Sequence, residues 1–367
     1  MSLSVSIVGL PNVGKSTLFN ALLKKQQAYV ANFPFATIEP NIGIVPVPDN
    51  RLTKLAEVTK EEEKMTALPP VVPATVEFVD IAGLIAGASK GEGLGNKFLS
   101  HIRETSAICH VVRAFTDPDI VKQGISDPKT DLEVVETELT LADFQTLENQ
   151  KDPGHTLDKD VLKRWEVVQK IKNELQKGIP ARDVSLTEEE QKIAKQLSLL
   201  TAKPILVVLN VDEKDLVNAH KIETDFAENL KLKPDQVVAI CAKTESELSE
   251  LSEVDQMAYL KELGVEKSGL ERLIQKAFAT LGLITFLTAG EKEVRAWTIK
   301  NGINAQEAAG VIHTDFIKKF IKADIVDFND FISIGGWESA REAGKVRSEG
   351  RDYIMTNGEV VEFKIGS

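Results

Sequence analysis

Thirteen residues near the N-terminus, Val5-Ser6-Ile7-Val8-Gly9-Leu10-Pro11-Asn12-Val13-Gly14-Lys15-Ser16-Thr17, constrain the fold more than any other stretch. They open as an apolar, β-branched run, the mark of a buried strand. They close as Gly9-x4-Gly14-Lys15-Ser16, the Walker A pattern, and Leu18-Phe19-Asn20-Ala21-Leu22-Leu23 predicts the helix that follows. Strand, glycine-rich turn and helix in that order point to an α/β domain. The glycines let the backbone curl so that successive N–H groups, here those of Asn12 to Thr17, point into one hollow. The helix aims its N-terminus, with about half a positive charge, at the same hollow. Lys15 is placed to reach β- and γ-phosphates, and the Ser16 hydroxyl to ligate Mg²⁺.

The chain has 367 residues, enough for two or three domains. Its 43% apolar and 27% charged residues are those of a soluble globular protein. No apolar run is long enough to cross a membrane, and Met1-Ser2-Leu3-Ser4 leads into the first strand with no signal-peptide pattern. The two cysteines, Cys109 and Cys241, sit in apolar runs and read as buried free thiols of a cytoplasmic protein. The net charge of -12 argues against a general nucleic-acid coat, which needs a basic surface. Lys318-Lys319-x-x-Lys322 and Arg341-x-x-x-Lys345-x-Arg347-x-x-x-Arg351 remain as local basic patches or as ordinary solvated charges.

After the phosphate loop, Ala31 to Asn41 carries Pro34 and Pro40 and reads as a loop. Its Thr37 lies about twenty residues past Lys15, where phosphate-switch proteins close a threonine over the γ-phosphate as a second Mg²⁺ ligand. Val71 to Asp80 reads as a second strand. It ends in Asp80-Ile81-Ala82-Gly83, with Asp80 holding Mg²⁺ directly or through water and the Gly83 N–H approaching the γ-phosphate. Gly83 to Gly95 holds five glycines in thirteen residues, a switch-like loop. Leu84 stands where Ras-like enzymes carry a water-orienting glutamine.

Lys97 to Thr105 predicts a helix and Ala107 to Arg113 another buried strand. His110 alternates onto one strand face with Ile108 and Val112, so a core histidine competes with a catalytic one. Leu132, Val135, Leu139, Ala142 and Leu147, then Val161, Trp165, Val168, Ile171 and Leu175, follow helical spacing on either side of Asp152-Pro153-Gly154. They predict a helical hairpin projecting from the α/β body. Thr187-Glu188-Glu189-Glu190 is a capping box for a further helix. Pro204 to Asn210 returns to a buried strand ending in Asn210-Val211-Asp212-Glu213. GTPases usually show Asn-Lys-x-Asp here, the aspartate accepting from guanine N1–H and the 2-amino group, which adenine lacks. Val211 and Glu213 depart from that pattern and favour ATP or relaxed specificity. Gln236 to Lys243 is the next strand and base-side loop, and helices follow to about Leu281. From Gly282 onwards Leu283–Leu287, Val294–Ile299 and Val360–Ile365 alternate as strands, a helix surrounds Ala305–Gly310, and Asn357-Gly358 predicts a hairpin.

Taken together, Gly9 to Thr17, Asn32-Phe33-Pro34-Phe35-x-Thr37-Ile38-Glu39-Pro40-Asn41, Asp80 to Leu84, Gly87 to Asn96 and Lys292-Glu293-Val294-Arg295-Ala296-Trp297-Thr298 resemble the YchF branch of the Obg-related P-loop NTPases, and the likeness covers nearly the whole chain. The resemblance implies a P-loop NTPase (G) domain, an inserted helical coiled-coil arm and a C-terminal TGS domain of ubiquitin-like β-grasp shape. It implies ATP preferred over GTP, ribosome association and a role in translation or stress response. That family shares the Asn-x-x-Glu motif, matched by Asn210 and Glu213, and the apolar residue matched by Leu84. A histidine replacing the missing glutamine falls on His110.

The expected division is residues 1–130 and 201–281 for the G domain, 131–200 for the arm and 282–367 for the TGS domain. The expected activity is a slow, Mg²⁺-dependent ATPase that also binds GTP and acts as a conformational switch. Lys15, Gly83 and His110 form the catalytic set. Asn12, Val13, Gly14, Lys15, Ser16, Thr17, Asn210, Val211 and Glu213 hold nucleotide, and Ser16, Thr37 and Asp80 serve Mg²⁺. The ribosome is the expected partner of a monomer, with RNA contact through the arm and TGS domain. A nucleotide-binding scaffold with negligible turnover and a P-loop small-molecule kinase are the rival readings.

Overall fold

The computed structural model describes residues 3–32, 41–81, 94–116, 127–155 and 158–366. Strands β1 (Ser4–Val8), β2 (Ile42–Pro46), β3 (Val71–Val72), β4 (Thr75–Asp80), β5 (Ala107–Arg113), β6 (Ile205–Asn210) and β7 (Val237–Ile240) precede Gly282. Strands β8 (Leu283–Ala289), β9 (Val294–Lys300), β10 (Phe320–Val326), β11 (Arg347–Glu349) and β12 (Val360–Ile365) follow it. The chain divides into two units, Met1–Val45 with Glu77–Leu281, and Pro46–Val76 with Gly282–Ser367.

The first unit is built on a sheet of order β2-β4-β1-β5-β6-β7. Every residue of β1, β6 and β7 is buried, as are the first six of β5, which is why these strands read as continuous apolar runs. β1 pairs in parallel with β4 on one side and β5 on the other, β5 with β6, and β6 with β7. The chain therefore leaves the carboxyl end of β1 at the point where strand order reverses, the usual ligand crevice of an open α/β sheet.

The helix Leu94–Glu104 lays Phe98, Leu99 and Ile102 on the core that β1, β5 and β6 share. The helix Pro128–Glu148 adds Val135, Leu139 and Ala142 to that core, then passes Leu147 into a second cluster with Val167, Val168, Ile171 and Leu175 of the helix Lys159–Gln176. The insertion thus roots inside the body before it departs. Its root is fixed by Asp143, whose carboxylate is fully buried and accepts from Leu200 N (2.8 Å), Thr201 N (2.7 Å) and Thr201 Oγ1 (2.6 Å). The capping box predicted at Thr187 is formed with Glu190.

The second unit carries a sheet of order β11-β10-β12-β8-β9-β3. β8 and β9 are an antiparallel pair, β12 lies parallel to β8, and β10 runs antiparallel to β12. With the helix Ala305–Ile312 between β9 and β10, this is the β-grasp arrangement. Phe286, stacked near Trp297 and edge-on to Phe363, centres its core.

Two expectations are corrected here. The second unit does not begin at 282. Pro46–Val76 belongs to it, through the helix Asn50–Glu62, which buries Leu52, Leu55, Ala56 and Thr59, and through β3, which pairs in parallel with β9. The predicted strand Val71–Asp80 is accordingly two strands in two sheets. Pro73 separates them because it has no N–H to donate to a ladder and its φ is fixed. The predicted hairpin at Asn357-Gly358 is also absent. Gly358, at φ +87°, donates its N–H to Thr285 O at 2.7 Å, and Asn357 Oδ1 accepts from Thr285 N at 3.1 Å, so this turn is tied to β8. Ile354 bridges Asn304 instead of a partner across the turn.

Candidate functional site

The phosphate loop is shaped by what lies behind it. Gly9, at φ +152°, sits so close to the Val111 carbonyl oxygen that a Cβ would overlap it. Gly14, at φ +97°, is packed in the same way against the Asn210 carboxamide. Asn12 also takes a left-handed conformation, at φ +62°. The helix Lys15–Asn32 opens directly from this turn, its first turn closed by Leu18 N donating to Gly14 O at 3.0 Å. The N–H groups of Lys15, Ser16 and Thr17 precede that bond and have no acceptor within the helix, which is the arrangement that binds phosphate.

Lys15, 8% exposed, donates from Nζ to Leu10 O at 2.7 Å. Burial lowers its pKa and the charge of Asp80 opposes that shift. Asp80 ends β4 in register with Ile7 of β1. Burial raises its pKa and Lys15 pulls it back. A partly desolvated carboxylate beside a lysine, with the Ser16 hydroxyl exposed at the helix start, is a hard-oxygen set that fits Mg²⁺.

Across the pocket Asn210, 5% exposed, works as a clamp. Its Nδ2 donates to Val13 O at 2.9 Å and its Oδ1 accepts from Ala242 N at 2.9 Å, so one side chain joins the phosphate loop to the start of the helix after β7. Val211 is buried, and its N–H donates to Ile240 O. Asp212 Oδ2 accepts from the N–H and hydroxyl of Thr116, at 3.1 and 2.7 Å. Glu213 Oε2 accepts from Thr244 Oγ1 at 2.8 Å and from Tyr259 OH at 3.1 Å. Asn12, Gly14, Lys15, Ser16, Thr17, Asn210, Val211 and Glu213 line one pocket of about 780 Å³, which is nucleotide-sized.

Asp212 and the base-side residues Cys241, Ala242 and Lys243 also line it, and Phe115, Thr116, Thr244, Glu247 and Tyr259, which were not foreseen, complete the wall. Thr116 and Thr244 lie just past strand ends, where a wall residue is to be expected. Tyr259 sits in the helix Glu253–Glu262, which buries no residue, and nothing in its pattern marks it.

His110 is corrected from the catalytic set. It is 1% exposed, lies in β5 between Val8 of β1 and Val207 of β6, and does not line the pocket. Neither ring nitrogen has a hydrogen-bond partner among the described residues. Burial above all, helped by the charges of Lys15 and Arg182, pushes its pKa down to about 3. It is a neutral core histidine. Thr37, Gly83 and Leu84 lie outside the described residues. Of the basic candidates, Lys322, Arg341, Lys345 and Arg347 each pair with a carboxylate, those of Asp324, Glu362, Asp330 and Glu359, which favours the reading of ordinary surface charges. Among the described residues no helix is long and apolar enough to cross a membrane.

A sheet whose strands β4, β1, β5, β6 and β7 run parallel, with this loop at the end of β1 and an asparagine clamping that loop to the base side, defines a P-loop nucleoside-triphosphatase domain. Residues 4–152 match the family model MMR_HSR1, described as "50S ribosome-binding GTPase". Residues 283–366 match the model YchF-GTPase_C, described as "Protein of unknown function". The chain is 49% identical to the protein named "Ribosome-binding ATPase YchF" of Bacillus subtilis (strain 168), over 99% of both chains. It is 46% identical to the protein of that name from Escherichia coli O157:H7, again over 99% of both. The solved structure of the Schizosaccharomyces pombe YchF GTPase matches with a TM-score of 0.84 at 36% identity, covering 99% of this chain and 98% of that one. The chain belongs to the YchF family.

Proposed function

We propose that this protein is a Mg²⁺-dependent ATPase, able to bind GTP less well, that acts in the cytoplasm as a nucleotide-controlled switch on the ribosome. The observation that carries the adenine reading is the base pocket, where Glu213 stands in place of the guanine-selecting aspartate with one carboxylate oxygen taken up by Thr244 and Tyr259. Ribosome association is supported by the names of the B. subtilis and E. coli relatives.

In this reading the N–H groups of Asn12 to Thr17 and the Lys15 ammonium hold the phosphates. Ser16, Thr37 and Asp80 would hold Mg²⁺, Asp80 through water, and the ion when bound would supply neutralisation of phosphate charge. Gly83 senses the γ-phosphate, and hydrolysis releases the Thr37 and Gly83 loops. Asn210, Val211 and Glu213 frame the base. No step is given to His110, which is neutral and sealed away. With Leu84 in place of glutamine, intrinsic turnover is slow and a partner supplies the acceleration, which reaches several orders of magnitude in related switches. RNA contact through the arm and the β-grasp unit, by a monomer, completes the reading.

Single-turnover hydrolysis with and without ribosomes tests it. ATP cleavage that ribosomes accelerate supports the switch. No cleavage under either condition leaves the scaffold reading, and phosphoryl transfer to small acceptors leaves the kinase reading.

A further inference from the structure

Both carboxylates of the Asn210-Val211-Asp212-Glu213 segment line the pocket, and on each the same pattern recurs. Thr116 puts two donors on Asp212 Oδ2, and Thr244 and Tyr259 put two on Glu213 Oε2. A carboxylate reads guanine by taking N1–H on one oxygen and the 2-amino N–H on the other. With two hydroxyls on Oε2, Glu213 has only Oε1 left for such a contact. Adenine asks for neither contact, because its N1 is an acceptor and C2 carries no amino group.

We propose that Thr244 and Tyr259 are specificity-determining residues, whose hydroxyls hold the Glu213 carboxylate away from guanine and so set the preference for adenine nucleotides. This rests on the adenine reading above and gives it a cause beyond the Asp-to-Glu exchange. The two donors come from different elements. Thr244, 1% exposed, is in the helix Ala242–Leu248, two residues after the Ala242 N–H that Asn210 clamps. Tyr259 comes from the helix Glu253–Glu262, which buries none of its residues. Hydrogen bonding to Glu213 is the main cause that raises the Tyr259 pKa, so the phenol keeps its proton and remains a donor at neutral pH.

The test is the ratio of ATP to GTP affinity, measured with non-hydrolysable analogues and Mg²⁺ on the full chain, for wild type, Tyr259→Phe and Thr244→Val/Tyr259→Phe. Freeing Oε2 restores a second, charge-assisted bond to guanine, so the double variant is expected to shift the ratio toward GTP by about tenfold or more. Tyr259→Phe, at a half-exposed position, is expected to shift it in the same direction by less, and serves if the buried Thr244 change impairs folding. A merely structural role weakens both nucleotides together and leaves the ratio alone. A wild type that prefers ATP, with a ratio that Tyr259→Phe and any folded double variant leave unchanged or move toward ATP, overturns this proposal only. A wild type that prefers GTP overturns the adenine reading itself.

Discussion

Asn210 is the residue through which the two halves of the pocket hold each other, and removing its carboxamide is the sharpest test of the site's construction. In Asn210→Ala the Val13 carbonyl loses its 2.9 Å donor and the Ala242 N–H its 2.9 Å acceptor. Both are buried contacts, and an orphaned buried group costs about 1–3 kcal/mol, so the pair costs roughly 2–6 kcal/mol. The change also leaves a void against Gly14, whose tight approach to the carboxamide fixes the loop. Urea unfolding followed by circular dichroism reads the stability, and fluorescence titration with an ATP analogue reads the site. The analogue's affinity falls by about tenfold or more, because the phosphate loop and the base-side loop no longer share a brace. Asn210→Asp keeps the size but replaces the donor to Val13 O with an anionic oxygen, and costs at least as much. A loss below about 0.5 kcal/mol with affinity unchanged, the level of an ordinary surface substitution, refutes the clamp.

Gly14→Ala forces a Cβ into the Asn210 carboxamide at a left-handed φ of +97°, so it lowers stability by about 1–2 kcal/mol or more and abolishes analogue binding, read in the same two assays. His110 is held near pKa 3 in the folded protein against about 6.5 when unfolded, so the unfolded chain binds the proton first. Its contribution is intact above pH 6.5 and is lost as pH falls toward 3, at up to about 1.4 kcal/mol per unit. Urea midpoints at pH 7, 6 and 5 therefore fall less steeply in His110→Leu than in wild type, and equal slopes contradict the assignment. Asp143→Ala orphans the Leu200 and Thr201 N–H groups and should cost about 3 kcal/mol, with limited proteolysis opening the insertion at its root.

The parts of this molecule that were legible in its sequence are those whose chemistry is local. Gly9, Gly14, Lys15 and Ser16 lie within one turn and its flanking elements, and the left-handed φ of both glycines is what the spacing demands. Asp80 was legible because an acidic residue ends an apolar strand. Glu213 was legible as a departure, but not what holds it. Thr244 and Tyr259 lie 31 and 46 residues downstream, and no periodicity links them to Glu213. Pro46–Val76 escaped because β3 is two residues long between prolines and its partner β9 lies more than two hundred residues away in sequence. Asn357-Gly358 carries sound turn chemistry, yet Asn357 spends its side chain on Thr285, so the turn serves the sheet instead of a hairpin. His110 alternated onto a core face as any apolar residue would, and its burial, not its chemistry, decides its charge.

The central claim is that this phosphate site serves adenine nucleotides. Equilibrium dissociation constants for ATP and GTP analogues, measured side by side on the purified protein with Mg²⁺, test it most directly. The account predicts tighter binding of the ATP analogue. Tenfold tighter binding of the GTP analogue, about 1.4 kcal/mol in the other direction, would contradict it.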